Sequence, residues 1–435
     1  MNPENVLEFI FFMLLGYGAL RFSRLVYGDY FAPMGLFFGV NLAALSLYHL
    51  KLLPLIQISG EAYLLIMASF FSFLTGSLLA SPFFALKGRT LPIWRHSNKH
   101  EKTSAELTAF YYLTASLGLA GWIFYVTVVV PPGWLSNPFL LQGTGQYVIP
   151  YHLGYLLIAG ALVPPIFVLL VLSNQRISPV SICCLLAEVA ALMLAGVKSF
   201  FVLAMGTSLL VWALTRPGKV QPKHLGVLAL AIVGFMALYD RFIDVFVPRQ
   251  FSGSMFPPVL SFLEKPYLYI TGPWAALSAV IASPPAHVHW AQHTLEPLWK
   301  VLGPGGVGVV ERVPEYLPFV DIGPSLFNTY SFIGELYWDF GWLGSLLGSF
   351  LVGFISTALY VAARKRNNWV LRLLSALFSY ALFISMFMYY FRSTLVFLLL
   401  YTLVIGSLIK RLAVSFRLFK PRISAPKTKK AVISS

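Results

Sequence analysis

An all-helical integral membrane protein is the fold class this sequence predicts, and three observations predict it. Hydrophobic residues make up 58% of the 435 positions, and only 11% are charged. Apolar runs long enough to cross a hydrocarbon core recur along the chain. Taking runs of roughly 17–25 residues as helices, spans fall near 5–20, 31–48, 61–85, 107–130, 150–172, 178–195, 199–215, 224–239, 332–362, 369–390 and 394–409. About eleven crossings put the two termini on opposite sides. The apolar piece Tyr267–Ser283 is read as a re-entrant or interfacial helix, because Gly272-Pro273 interrupts it and a further crossing would invert every earlier loop.

The first segment holds Glu4 and Glu8 and no cation before its apolar run, so it lacks the basic start of a cleavable signal and is read as a retained span. Orientation follows from Lys and Arg, which are retained in cytoplasmic loops. Arg21/Arg24, the cluster from Lys87 to Lys102, Arg176, Arg216–Lys223, Arg364–Arg366 and the tail from Lys410 fall on alternate loops. They share the cytoplasmic face if the tail is inside, which leaves the N-terminus outside. This asymmetry and the attraction of basic loops to anionic lipid account for the net charge of +15 without nucleic acid. The chain divides into an eight-span bundle (1–239), a large outer loop between spans 8 and 9 (240–331), a three-span bundle (332–410) and a basic tail (411–435).

Several chemistries find no support. Cys183 and Cys184 are adjacent inside a span and cannot bridge separate loops. No Asp-x-Asp and no Gly-x-x-x-x-Gly-Lys occurs, so metal-assisted nucleotide-sugar and P-loop sites are unsupported. His287-Val-His289 with His293 has the spacing of a zinc set, but the flanking Pro284-Pro285 and the missing Glu-x-x-His pattern favour ordinary loop histidines. No metal and no cofactor is expected.

The outer loop is chemically varied and rich in aromatic residues, which argues for order and for a binding or lid role. Where it meets span 9, the stretch from Asn328-Thr329 to Asp339-Phe340-Gly341 places Glu335 and Asp339 one helical turn apart at a bilayer boundary. A carboxylate persists there when it has a task, although acidic residues near a helix start are also favoured by the helix dipole. On the same face lie Lys198, in the tight turn Gly196-Val197-Lys198-Ser199; Arg249, after Pro248; and Arg392, in the short turn before the last span. Three such cations suit a diphosphate; the alternative is that they reach lipid headgroups. Glu188 lies deep in a span, where a structural hydrogen bond is the expected use.

The Gly196-x-Lys198 turn, the segment Tyr267-Leu268-Tyr269-Ile270-Thr271-Gly272-Pro273-Trp274 and the stretch Asn328-Thr329 to Asp339-Phe340-Gly341-Trp342-Leu343-Gly344 resemble the bacterial oligosaccharide repeat-unit polymerases, which include the O-antigen polymerases. Size, span count and a large late periplasmic loop extend the resemblance loosely over most of the chain, and Lys198 departs from the Arg that many members carry. The resemblance implies a multi-spanning glycosyltransferase of the GT-C-like kind. Such an enzyme moves an undecaprenyl-diphosphate-linked glycan en bloc onto a new lipid-linked repeat unit at the periplasmic face. Its partners are the lipid-linked donor and acceptor, membrane lipids, a chain-length regulator and a flippase. Asp339 or Glu335 then takes the acceptor proton, Lys198, Arg249 and Arg392 neutralise the departing diphosphate, and Tyr267, Tyr269, Trp274, Asn328 and Tyr337 meet the glycan; the aromatic residues among them have anchoring at the membrane interface as the alternative and more usual use. Two alternatives stand beside it: an O-antigen ligase acting on lipid A core, and a flippase or exporter of lipid-linked sugars. A transporter should carry ionisable residues within its spans, whereas Glu188 is the one acid clearly inside one.

Overall fold

The computed structural model describes residues 3–84, 104–130, 151–173, 175, 177–194, 198–216, 223, 227, 230, 234, 256, 258–283, 291, 294, 317–366, 368–391 and 393–418. These residues form an all-α bundle with one two-stranded hairpin. The helices are α1 (Pro3–Tyr27), α2 (Pro33–His49), α3 (Gly60–Phe84), α4 (Ser104–Phe124, continued by a π-helical turn Tyr125–Val129), α5 (Tyr151–Gly160), α6 (Val163–Leu172), α7 (Pro179–Leu194), α8 (Lys198–Thr215), α9 (Glu264–Ala282), α10 (Phe332–Lys365), α11 (Trp369–Phe383) and α12 (Ser393–Leu418). Six described helical stretches are long and apolar enough to cross a membrane: 3–27, 60–81, 105–128, 155–172, 332–365 and 394–413. The chain is therefore a multi-pass membrane protein.

Most predicted spans coincide with helices, and the departures have local causes. The span read over 150–172 is two helices, because Pro164 and Pro165 supply no amide to a continuing ladder and sit instead in the first turn of α6. The span read over 369–390 ends at Phe383. Residues 384–391 form a connection rather than helix. The span read over 224–239 lies mostly outside the described residues, of which 227, 230 and 234 are helical. The segment taken as broken at Gly272-Pro273 is continuous in α9, which carries Pro273 inside it.

Helix α9, from the long segment 240–331, does not follow the direction of the spans. Near one end, the Tyr267 hydroxyl donates to the Leu47 carbonyl (2.8 Å) and accepts from the Leu52 amide (3.1 Å). Near the other, Ser278 Oγ accepts from the Ser59 amide (2.9 Å) and donates to the Gln57 carbonyl (3.1 Å). Eleven residues of helix are about 16 Å long, and they run beside the α2–α3 connection. α9 thus lies across one end of the bundle. The hairpin joins this cap: β1 (Val320–Asp321) pairs with β2 (Leu326–Phe327), and Ile56 donates its amide to the Ile322 carbonyl at 3.0 Å.

The opposite end is tied by charge and aromatic hydroxyls. Asp29, in the α1–α2 turn, accepts from the Phe31 amide (3.0 Å) and the Tyr360 hydroxyl (2.9 Å). Arg364 donates to that same hydroxyl and to the Tyr27 carbonyl, both at 2.8 Å. Buried polar groups need partners, and this network supplies them where α1, α2 and α10 meet.

Between the two ends, α3 and α10 cross in backbone contact. A Cβ on Gly76 would collide with the Phe350 carbonyl, and one on Gly353 with the Phe73 carbonyl. Ser349, Gly353 and Thr357, spaced by four, present the small-residue stripe that lets membrane helices approach closely. Ser77 Oγ meets Thr357 Oγ1 at 2.9 Å beside it. A Leu at either glycine is expected to unfold or splay this pair, because overpacking of even a few methylenes costs about 1–3 kcal/mol and here the obstacle is backbone. Thermal denaturation of Gly76→Leu and Gly353→Leu in detergent checks it.

Candidate functional site

Both sequence-singled carboxylates lie on the first arm of α10. Ser331 caps that arm, its hydroxyl accepting from the Gly334 amide at 3.3 Å. The arm ends at Gly341, whose φ of 66° and ψ of −152° are non-helical and belong to a region that only glycine enters readily. Beyond Gly341 the helix does not continue in the same direction. Ser345 Oγ donates to the Ile333 carbonyl at 3.2 Å, although in a straight helix twelve residues span about 18 Å. Residues 332–340 therefore fold back against the start of the second arm, 342–365. Gly344 and Gly348 permit this, since a Cβ on the first would strike Phe340 and one on the second Leu336.

This changes the expected setting of the carboxylates. They do not top a straight span; they sit on a short re-entrant arm packed under the cap. Glu335 is 1% exposed and Asp339 0%. Glu335 Oε1 accepts the Tyr389 amide at 3.2 Å, and Asp339 Oδ2 accepts the Thr294 amide of the 240–331 segment. Each carboxylate thereby joins the arm to a distant segment.

The 384–391 connection completes the enclosure. Phe332 donates its amide to the Ser385 carbonyl (2.9 Å), and the Phe332 and Tyr389 rings stack at 5.6 Å. Asn41 of α2 donates from Nδ2 to Ser385 Oγ (2.7 Å) and to the Phe37 carbonyl (2.8 Å). Sequence reasoning overlooked Asn41 and Ser385; the one available signal was an amide side chain inside the apolar run Val40-Asn41-Leu42. It also overlooked Thr294, which no pattern marks.

The aromatic candidates separate into two groups. Trp274 is wholly enclosed and Tyr267 is 6% exposed, so here they present no ring face to a sugar. Burial pushes the Tyr267 phenol up to about 12, which keeps its proton available for the Leu47 carbonyl. Tyr269, Asn328 and Tyr337 are half-buried. Tyr269 packs edge-on to Phe387 at 5.4 Å and lies 6.4 Å from Phe327, the residue before Asn328. Asp321, in the hairpin, is exposed and accepts the Gly323 amide in its own turn.

Of the cations, Lys198 is the first residue of α8, four residues after the end of α7, which places it at the junction of the two helices. Its side chain, Arg249 and Arg392 lie outside the described residues, as do His287, His289 and His293. Arg392 follows Tyr389, whose amide holds Glu335, by three residues in the chain. Among the described residues no group of three His, Cys, Asp or Glu is placed to hold a metal ion. Comparison with family models, with curated proteins and with solved structures gives no significant match.

Proposed function

We propose that this protein is a lipid-linked oligosaccharide polymerase of about eleven spans, transferring an undecaprenyl-diphosphate-linked glycan onto a new lipid-linked repeat unit at the periplasmic face. The observation that carries the reading is the re-entrant arm. It holds two carboxylates one turn apart beneath a cap of loop and aromatic residues, in the segment where the resemblance to repeat-unit polymerases is densest.

The chemistry asks for three things. The attacking sugar hydroxyl needs a base within hydrogen-bond reach, and Asp339 or Glu335 fills that part. The diphosphate leaving group needs preorganised positive charge, which Lys198, Arg249 and Arg392 supply without a metal. The sugars need aromatic and amide walls, for which Tyr269, Asn328 and Tyr337 are the accessible candidates, with Tyr267 and Trp274 holding α9 in place behind them. In the closed arrangement Asp339 is covered by Thr294, so the acceptor enters when that outer-loop contact opens.

A charge-assisted phosphate contact contributes roughly 1.5–3 kcal/mol, which corresponds to about ten- to hundred-fold in rate when it forms mainly in the transition state. Arg249→Ala and Arg392→Ala are expected to lose transfer by that factor, measured with purified, folded variants and a lipid-linked repeat unit. Full polymerisation by both would remove them from the mechanism. The acceptor separates the reading from a ligase: products attached to a second lipid-linked repeat unit support polymerisation, and products that form only on lipid A core refute it. Movement of the lipid-linked sugar across the bilayer without any new glycosidic bond would identify a flippase.

A further inference from the structure

The geometry points to Glu188 as a proton-binding site inside the membrane, separate from the transfer site and coupled to the packing of three helices. Glu188 is the tenth residue of the sixteen in α7, about 13 Å from its start, and is wholly buried. Its carboxyl lies over a glycine pair. A Cβ on Gly118 of α4 would collide with Oε1, and one on Gly160, at the end of α5, with Oε2. The Gly118 Cβ would also stand 2.6 Å from the Gly160 Cα. α4 and α5 thus cross in near backbone contact, and the carboxyl closes the crossing from the α7 side.

The hydrogen bond expected for this residue is missing. Neither oxygen has a hydrogen-bond partner among the described residues; the Leu119 amide lies beside the group but outside hydrogen-bond geometry. No described cation acts on it either. The titratable neighbours are Tyr111 of α4 and Cys184 of α7, neither of them a counter-charge. On α5, Tyr155 is stacked on Phe397 instead, and α6 and the described side chains of α8 carry no titratable group.

An ionised carboxylate in hydrocarbon without a partner is among the most costly arrangements a protein can hold. A proton resolves it. The acid then presents one neutral O–H in place of a full charge, needs no counter-ion, and packs against the two glycines. Release of the proton leaves a bare charge against two helix backbones, so α7 must draw away or water must enter. Proton occupancy and the α4–α5–α7 contact are therefore one equilibrium.

Infrared spectroscopy of the full chain in lipid nanodiscs tests this. Near neutral pH the wild type should show a carboxylic-acid carbonyl band that is lost in Glu188→Gln, is shifted in Glu188→Asp, and fades as pH is raised. Spectra of wild type and Glu188→Gln that superimpose in this region at every pH would overturn the assignment. If Glu188→Gln fails to fold, a lipophilic carbodiimide gives the answer on the wild type. The carboxyl O–H adds across one C=N bond and the acyl group migrates to nitrogen, leaving a stable N-acylurea that mass spectrometry locates. Modification of Glu188 that declines with rising pH supports the site; modification that is absent or independent of pH overturns it.

Discussion

Asp339→Asn should slow glycan transfer by about 10²–10⁴-fold with donor affinity unchanged, the loss typical of removing a general base. The substitution isolates basicity. Asn keeps the size of Asp and a carbonyl oxygen able to accept the Thr294 amide that Asp339 Oδ2 accepts, so the contact between arm and outer loop survives. If Asp339 serves only to hold that loop, the variant will be nearly silent. Glu335→Gln is the parallel case, since its carbonyl can still accept the Tyr389 amide. Single-turnover transfer and donor affinity, measured for both, separate the roles. Near-wild-type transfer by the two variants would end the carboxylate-base proposal, and weakened donor binding with normal chemistry would reassign the pair to positioning.

Gly341→Ala is expected to cost about 1–3 kcal/mol of stability, the usual toll of forcing a side chain into a backbone region reserved for glycine. Its effect on transfer should be larger in proportion, because misplacing a reacting group by about 1 Å can cost 10²-fold. The reason is confined to the backbone. Nothing lies within 4 Å of a Cβ built at Gly341, and its φ is +66°. Gly60→Ala is the matching control, since that position is equally open and its φ is not positive. Thermal denaturation and transfer assays on the two should diverge. Wild-type stability and activity in Gly341→Ala would show that the fold-back does not depend on this turn.

The pairing of Glu335 with Asp339 was legible because helix periodicity is local: four residues bring two side chains to one face whatever the helix later does. The fold-back was not legible in the same way. An apolar run containing Gly341, Gly344 and Gly348 reads as one long span when only hydropathy is weighed, and nothing in hydropathy says that a helix will turn and pack against itself. The glycine spacing was the available signal, since each of the latter two removes a Cβ where the arms touch. The break inside 150–172 was similarly written in Pro164-Pro165. The contacts of Asn41 with Ser385 and of Asp29 with Tyr360 join residues more than 300 positions apart, and no local pattern encodes such pairs. Gly118 and Gly160 make the same point for Glu188, whose setting is decided by two other helices.

Chain-length analysis of products made by the purified protein alone is the decisive experiment for polymerase activity. The protein is placed in liposomes with a single lipid-linked repeat unit as donor and acceptor, with EDTA present. A metal-independent polymerase should yield a ladder of glycans that differ by one repeat unit and remain attached to lipid diphosphate. Products that never exceed the starting unit, or a ladder that vanishes with EDTA and returns with added metal, would contradict it.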